Sequence, residues 1–399
     1  MKHVTEFMKL ITIPLRKKSG DNMEFRDLKT QYQRYKSEID KVMINVAKES
    51  NFIMGKQVSE IEKQLAGYVG VKHCITCANG TDALTLAMMS YDIKEGDAVF
   101  VPDFTFFSTA EIVLFEGATP IFVDVDKSTF NIDTVKLEFA IEKIIKEKKL
   151  NPKAIIAVDL FGLPANYTEL EKIALKYNIV LVEDAAQGFG GRIGNKKACS
   201  FGHIATTSFF PAKPLGCYGD GGAIFTDDDN KEKLLRSLTV HGKGENKYDN
   251  IRIGMNSRLD TIQAAVLKVK LKAFIEHELE DVNRAYNLYN EKLNKIVKIP
   301  LIPDNYYSSF AQYTIILESK KKRDKLQAHL KEQGIPSMIY YQKPMHKQLA
   351  FSKLDCNDEN FKVTNMLCDC VLSLPMHPYL TNQDVELVCN SIKNFILRG

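Results

Sequence analysis

Ala154-Ile155-Ile156-Ala157-Val158 and, after a helical stretch at 166–177, Ile179-Val180-Leu181-Val182-Glu183-Asp184 form the segment from which the architecture can be read. Each begins with an uninterrupted apolar run, too short for a helix, of the kind found in strands covered on both faces. A helix between two such strands is a crossover connection, which makes the strands parallel. The same alternation continues outward in both directions. Further strands are expected at 73–78, 98–102, 120–124, 205–210 and 222–226, and helices at 81–90 and 134–147. The expected fold class is α/β, with a mostly parallel seven-stranded sheet wrapped by helices.

Beyond this region the texture changes. Leu28, Tyr32, Tyr35, Ile39, Val42 and Val46 recur at three- and four-residue steps, predicting an amphipathic helix ahead of the sheet. Residues 259–296 read as long charged helix, 310–317 as a strand and 320–333 as a helix. The expected organisation is an extension at 1–22, a large domain at 23–270 and a smaller C-terminal α+β domain at 271–399. The extension is basic, its apolar stretch is broken by Lys9 and Pro14, and Ser19-Gly20-Asp21-Asn22 reads as a flexible join. It fits neither a signal peptide nor a membrane span, and Met23 itself looks like a translation start.

Composition narrows the function classes. A formal charge of +4 on 399 residues gives no argument for nucleic-acid binding. No apolar run approaches the ~18 residues of a membrane helix. Cys74 and Cys77 form C-x-x-C and Cys368 and Cys370 form C-x-C, but the first pair lies in a strand, where its side chains face opposite ways. Buried thiols, no metal and a reducing cytoplasm are expected.

Three strand-end segments carry the chemistry. Ala78-Asn79-Gly80-Thr81-Asp82 runs from a strand into a helix, whose first backbone N–H groups suit a phosphate; Gly80 allows close approach and Thr81 adds a hydroxyl. Alone, this is an ordinary turn and cap. Val182-Glu183-Asp184-Ala185-Ala186-Gln187 ends a buried strand in acids, at the carboxyl edge where parallel sheets place their sites. A carboxylate there can bond a protonated pyridine nitrogen; it can equally be a helix cap. Ser208-Phe209-Phe210-Pro211-Ala212-Lys213-Pro214-Leu215-Gly216 places one lysine among prolines, aromatics and glycine, a setting unlike that of a solvated surface charge. Such a lysine loses its proton more readily and becomes a nucleophile.

With Phe104-Thr105-Phe106 and Met255-Asn256-Ser257-Arg258-Leu259-Asp260 added, the set resembles the DegT/DnrJ/EryC/StrS family of pyridoxal-phosphate enzymes that aminate nucleotide-linked keto sugars. The resemblance runs from about Met23 to the C-terminus and implies a type I fold. Within the family the chain is most similar to enzymes acting on UDP-2-acetamido-2-deoxy-3-keto-hexuluronate. The resemblance implies Lys213 as the Schiff-base lysine and proton carrier, and Asp184 on the pyridine nitrogen. It puts Gln187 near the ring hydroxyl and Phe106 on the ring face. Gly80, Thr81 and Ser208 would hold the phosphate, and Asn256 would complete the cup from the neighbouring subunit of a homodimer. Arg258, Tyr340, His241 and Tyr248, with Lys247, are candidate sugar-pocket residues. Glutamate is the implied amino donor, with pyridoxamine phosphate formed between two half-reactions.

Two alternatives stand beside this one. A sensory or regulatory protein on the same scaffold is opposed by the intact lysine and acid. A 6-deoxy or 6-hydroxy keto sugar, at C3 or C4, is favoured by one departure: Tyr340 stands where the hexuluronate enzymes carry a histidine that holds the sugar carboxylate. A phenol donates a hydrogen bond but adds no charge.

Overall fold

The computed structural model describes residues 23–246, 248–354 and 356–398. The expected extension at 1–22 and the candidate Lys247 lie outside the described residues. The strands are β1 (His73–Cys77), β2 (Asp97–Pro102), β3 (Thr119–Val123), β4 (Asn151–Val158), β5 (Val180–Asp184), β6 (Ile204–Ser208) and β7 (Gly222–Thr226). All seven join one sheet in the order β1-β7-β6-β5-β4-β2-β3. Pairing is parallel from β3 through β6, and β7 alone runs antiparallel to both of its neighbours.

Alternation along the strands builds two covered faces. Val99, Val101, Ala154, Ile156 and Val182 point to one side, onto α3 (Gly80–Ser90), α4 (Ser108–Phe115) and α7 (Asp229–Leu238). Phe100, Ile155, Ala157 and Leu181 point to the other, onto α5 (Thr134–Glu147) and α6 (Tyr167–Tyr177). Each fully buried Val, Ile or Leu contributes about 1.5–3 kcal/mol of transfer free energy, so the all-apolar strands have no solvent face to offer. Cys74 and Cys77 fall into different core clusters on opposite sides of β1, and both are buried.

Caps explain where the helices start. Asp27 accepts from Thr30 N at 2.9 Å ahead of α1 (Leu28–Glu49), and Asn79 accepts from Asp82 N at 2.8 Å ahead of α3. α2 (Lys56–Val69) and α8 (Thr261–Ala273) cover the β1 end of the sheet. The long helix expected at 259–296 is α8 and α9 (Leu279–Leu293), joined by a π-helical turn at Phe274–Glu278. The expected strands at 205–210 and 310–317 are shorter, as β6 and as β8 (Tyr313–Ile316).

The last third of the chain has its own apolar cluster. β8 pairs antiparallel with β9 (Val371–Leu374), packed by α9, α10 (Lys320–Glu332) and α12 (Asn382–Arg398). Between them the chain returns to the large sheet, where Met345, Phe351 and Phe361 join the cluster of α3 and α4. Two aspartates just past strand ends hold this return. Asp103, after β2, accepts from His346 N at 2.8 Å and faces its Nδ1 at 2.7 Å. Asp124, after β3, accepts from Val363 N, Thr364 N and Thr364 Oγ1 at the start of α11 (Lys362–Cys370), and from Lys136 Nζ.

Candidate active site

The site lies at the carboxyl edge of the parallel strands, and sheet register accounts for its first part. Gly222, the first residue of β7, sits opposite both Cys77 of β1 and Ser208 of β6. Having no side chain, it lets the two strand ends close in: a Cβ on Gly222 would stand 2.4 Å from Asn79 O. Gly80 and Ser208 then meet directly, since a Cβ on Gly80 would stand 2.7 Å from Ser208 Cβ. Thr81 Oγ1 bonds Ser108 Oγ at 2.8 Å, linking the starts of α3 and α4. The result is a cradle of first-turn N–H groups and hydroxyls sized for an anion.

Ser257 fixes the neighbouring loop to this cradle. Its hydroxyl accepts from Ala78 N at 3.0 Å and donates to Asp82 Oδ2 at 2.6 Å. Asn256 and Arg258 flank it, joined by a side-chain hydrogen bond, with Asn256 exposed.

Asp184 ends β5 and is buried. Its Oδ2 accepts from Thr109 Oγ1 at 3.1 Å and its Oδ1 from Ala186 N at 3.1 Å. Burial pushes its carboxyl above the ordinary range, partly offset by the Lys213 charge. Burial likewise pushes the Lys213 ammonium down, with Asp184 opposing. Both shifts leave each group easier to neutralise than in water, which suits a lysine that must act as nucleophile and base.

The Lys213 loop is held by its backbone. Phe209 N bonds Gly221 O and Cys217 N bonds Phe209 O, each at 2.7 Å, and Lys213 N bonds Phe210 O at 2.9 Å. Gly216 passes so close that a Cβ would stand 2.5 Å from Phe210 O. From the first helix approach, Arg26 donates to Lys213 O at 2.8 Å and to Pro214 O at 3.3 Å.

The remaining candidates are distributed as follows. Gln187 Oε1 accepts from Phe161 N at 2.8 Å and its Nε2 donates to Tyr341 OH at 3.0 Å. Tyr340 is half-buried, its ring edge-on to Phe25 and Tyr341. Phe106 is 55% exposed at the mouth of α4, an open face available for stacking. His241 and Tyr248 lie on the 240–256 loop with exposed side chains, Tyr248 at 86%. Sequence reasoning missed Thr109, Ser257, Tyr341 and Arg26. Thr109 sits one helical turn after Thr105, whose hydroxyl it bonds at 3.0 Å, but the partners of the other three are more than 150 positions away.

A lysine in electrostatic contact with a buried acid, beside a cradle of first-turn N–H groups at strand ends, is the kind of site a group-transfer enzyme of the α/β class requires. The model of the DegT/DnrJ/EryC1/StrS aminotransferase family matches residues 33–393, and the chain belongs to this family. It is 42% identical to the UDP-2-acetamido-2-deoxy-3-oxo-D-glucuronate aminotransferase of Pseudomonas aeruginosa, over 93% of this chain and all of that one. It is 39% identical to a pleiotropic regulatory protein of Geobacillus stearothermophilus, over 94% and 98% of the two chains. A crystal structure of a DegT DnrJ EryC1 StrS aminotransferase from Brucella abortus superposes with a TM-score of 0.91 at 48% identity, covering 94% of this chain and 99% of that one. The protein is an aminotransferase, and membership of this family implies pyridoxal phosphate. The residues present fit that group: the missing side chains of Gly80 and Gly222 let the start of α3, Ser208 and the end of β1 draw together into an anion cradle, and Asp184 and Lys213 supply the acid and the amine.

Proposed function

We propose that the protein uses pyridoxal phosphate to move an amino group, supplied by glutamate, onto the ketone of a nucleotide-linked sugar. The observation that carries this reading is the pairing of Lys213 with buried Asp184 beside the Gly80–Ser208 cradle. When bound, the cofactor supplies an electron sink for the carbanion formed at the donor or sugar carbon. The chain's own residues do the rest. Gly80, Thr81 and Ser208 hold the phosphate, Asp184 keeps a proton on the ring nitrogen, and Phe106 covers one ring face. Lys213 Nζ would hold the cofactor until an amino donor takes its place, and the freed amine would then serve as base and acid for the proton on the donor carbon. Gln187, oriented by Phe161 N and Tyr341 OH, would lie near the ring hydroxyl. Asn256 and Arg258 serve the site of a second copy in a homodimer.

A 3-keto hexuluronate carried on UDP is the first choice of sugar, supported by the 42% identical relative. The second reading, a sugar uncharged at C6, rests on Tyr340, a neutral donor set beside Tyr341 and hence near Gln187. Reduction of the cofactor-loaded protein with borohydride and mass analysis should place the adduct on Lys213, and Lys213→Ala should abolish it. An adduct on another lysine would overturn the assignment. The sugar is decided by kcat/KM for the uronate against its 6-deoxy counterpart; a preference for the latter of ~10-fold, about 1.4 kcal/mol, would replace the first choice by the second.

A further inference from the structure

Behind Asp184 stand two carboxyls that the proposed reaction leaves unused. Asp159 follows β4, Glu183 precedes Asp184 on β5, and both are 0% exposed. Strand alternation turns Glu183 away from the side Asp184 faces. Its Oε1 accepts from Cys199 N at 2.6 Å and its Oε2 from Phe201 N at 2.7 Å. Asp159 Oδ1 accepts from Ala165 N at 3.0 Å and Tyr167 OH at 2.8 Å, while Asp159 N donates to Asp184 O at 3.0 Å. Asp159 Oδ2 has no hydrogen-bond partner of the ordinary kind among the described residues. Yet Ala157 pairs with Glu183, so alternation past Ala157 sets Asp159 and Glu183 on the same face of neighbouring strands, where each carboxyl acts on the other. Gly188 makes room for this oxygen, since a Cβ there would stand 2.4 Å from Oδ2.

Among the described residues, the titratable groups that act most strongly on the pair are Asp184, Tyr167, Cys199 and Tyr306, and none of these is a cation. Two buried anions in contact, with a third one residue away, would repel without compensation. We propose that Asp159 and Glu183 share one proton, carried on Asp159 Oδ2 and donated to Glu183, and that the pair is a positioning element for Asp184. Glu183 is the anionic member because both its oxygens already accept backbone N–H groups. Burial pushes both carboxyls up, Asp159 to about 7. With a single charge behind it, Asp184 can remain ionised; a doubly charged pair would drive Asp184 to take up a proton. This last step rests on the reading of Asp184 as partner of the ring nitrogen.

The protein without cofactor tests the pair itself. In D2O near neutral pH, infrared difference spectra between wild type and Asp159→Asn should show the carbonyl stretch of a protonated acid, lost in the variant. Asparagine imitates the protonated acid, so Asp159→Asn should match the wild-type Tm at the acid end of the ordinary carboxyl range, where Asp159→Ala already falls below it. A raised folded pKa costs stability as pH rises from the ordinary carboxyl range to about 7. The Tm of Asp159→Asn relative to wild type should therefore climb across that window. No acid band and a flat Tm difference would overturn the proposal; if Asp159→Asn does not fold, Glu183→Gln must remove the same band. In cofactor-loaded protein, the pH titration of the visible absorbance should be unchanged by Asp159→Asn and displaced by Asp184→Asn. An undisplaced Asp184→Asn with the acid band present would sink the Asp184 reading and leave the proton-sharing pair intact.

Discussion

At the scale of single residues, the site is set by where side chains are missing as much as by where they are placed. Gly80 has no room for a methyl group, so Gly80→Ala should separate α3 from Ser208 and weaken phosphate binding. Fluorescence titration of the apoprotein with pyridoxal phosphate should show a Kd at least ~10-fold higher, about 1.4 kcal/mol. An unchanged Kd would remove the cradle from the argument. Asp184→Asn should retain the fold, since Ala186 N can still donate to the amide oxygen and the amide N–H can donate to Thr109 Oγ1, yet lower kcat far more than it raises KM. The sequence makes Lys213 and Asp184 legible because each is a charged residue in surroundings where charge is costly. Thr109, Ser257 and Arg26 were not legible, because a hydroxyl or a guanidinium announces nothing about a partner brought close only by folding.

Elements were easier to read than their ends. β4 and β5 are apolar throughout, and a strand buried on both faces has no other way to be written. β6 stops at Ser208, short of the expected 210, because the next carbonyl, Phe209 O, accepts from Cys217 N of the Lys213 loop rather than from β7. The return of the chain over β2 and β3 gave no periodic signal at all; it is held by Asp103 and Asp124 and by the separately placed Met345, Phe351 and Phe361, which follow no helical or strand period. His346 is the test of that return. Its Nδ1 faces Asp103 and its Nε2 faces Asp358 at 2.8 Å, and only the doubly protonated ring donates to both. Burial would lower its pKa, but the bonds to the two carboxylates outweigh this and raise it. The stability it confers is therefore full below the usual histidine range and lost as pH rises through the raised value. The Tm advantage of wild type over His346→Gln should shrink steadily as pH rises from the ordinary histidine range, about 6.5, through the raised value. A constant advantage would show that shape, not charge, holds the segment.

For the whole molecule, we propose a division near residue 270 and a homodimer with shared sites. The separate cluster of β8, β9 and α12 supports the first, although Met345, Phe351 and Phe361 belong to the other body. Mixing inactive Lys213→Ala with an inactive Asn256/Arg258 double variant should restore part of the activity through heterodimers; no recovery after confirmed subunit exchange would place these residues in their own chain's site. A chain starting at Met23 should fold and bind cofactor as the full chain does, read by circular dichroism and visible absorbance. One contact described above also bears on how the enzyme comes into being. Arg26 reaches Lys213 across 187 positions, and Gln187 depends on Tyr341 across 154. Neither bond can form until most of the polypeptide has left the ribosome. From the addition of Lys213 until that of Tyr341, the nascent chain thus carries this amine in an unfinished setting, and vitamin capture becomes an event of the nearly completed protein.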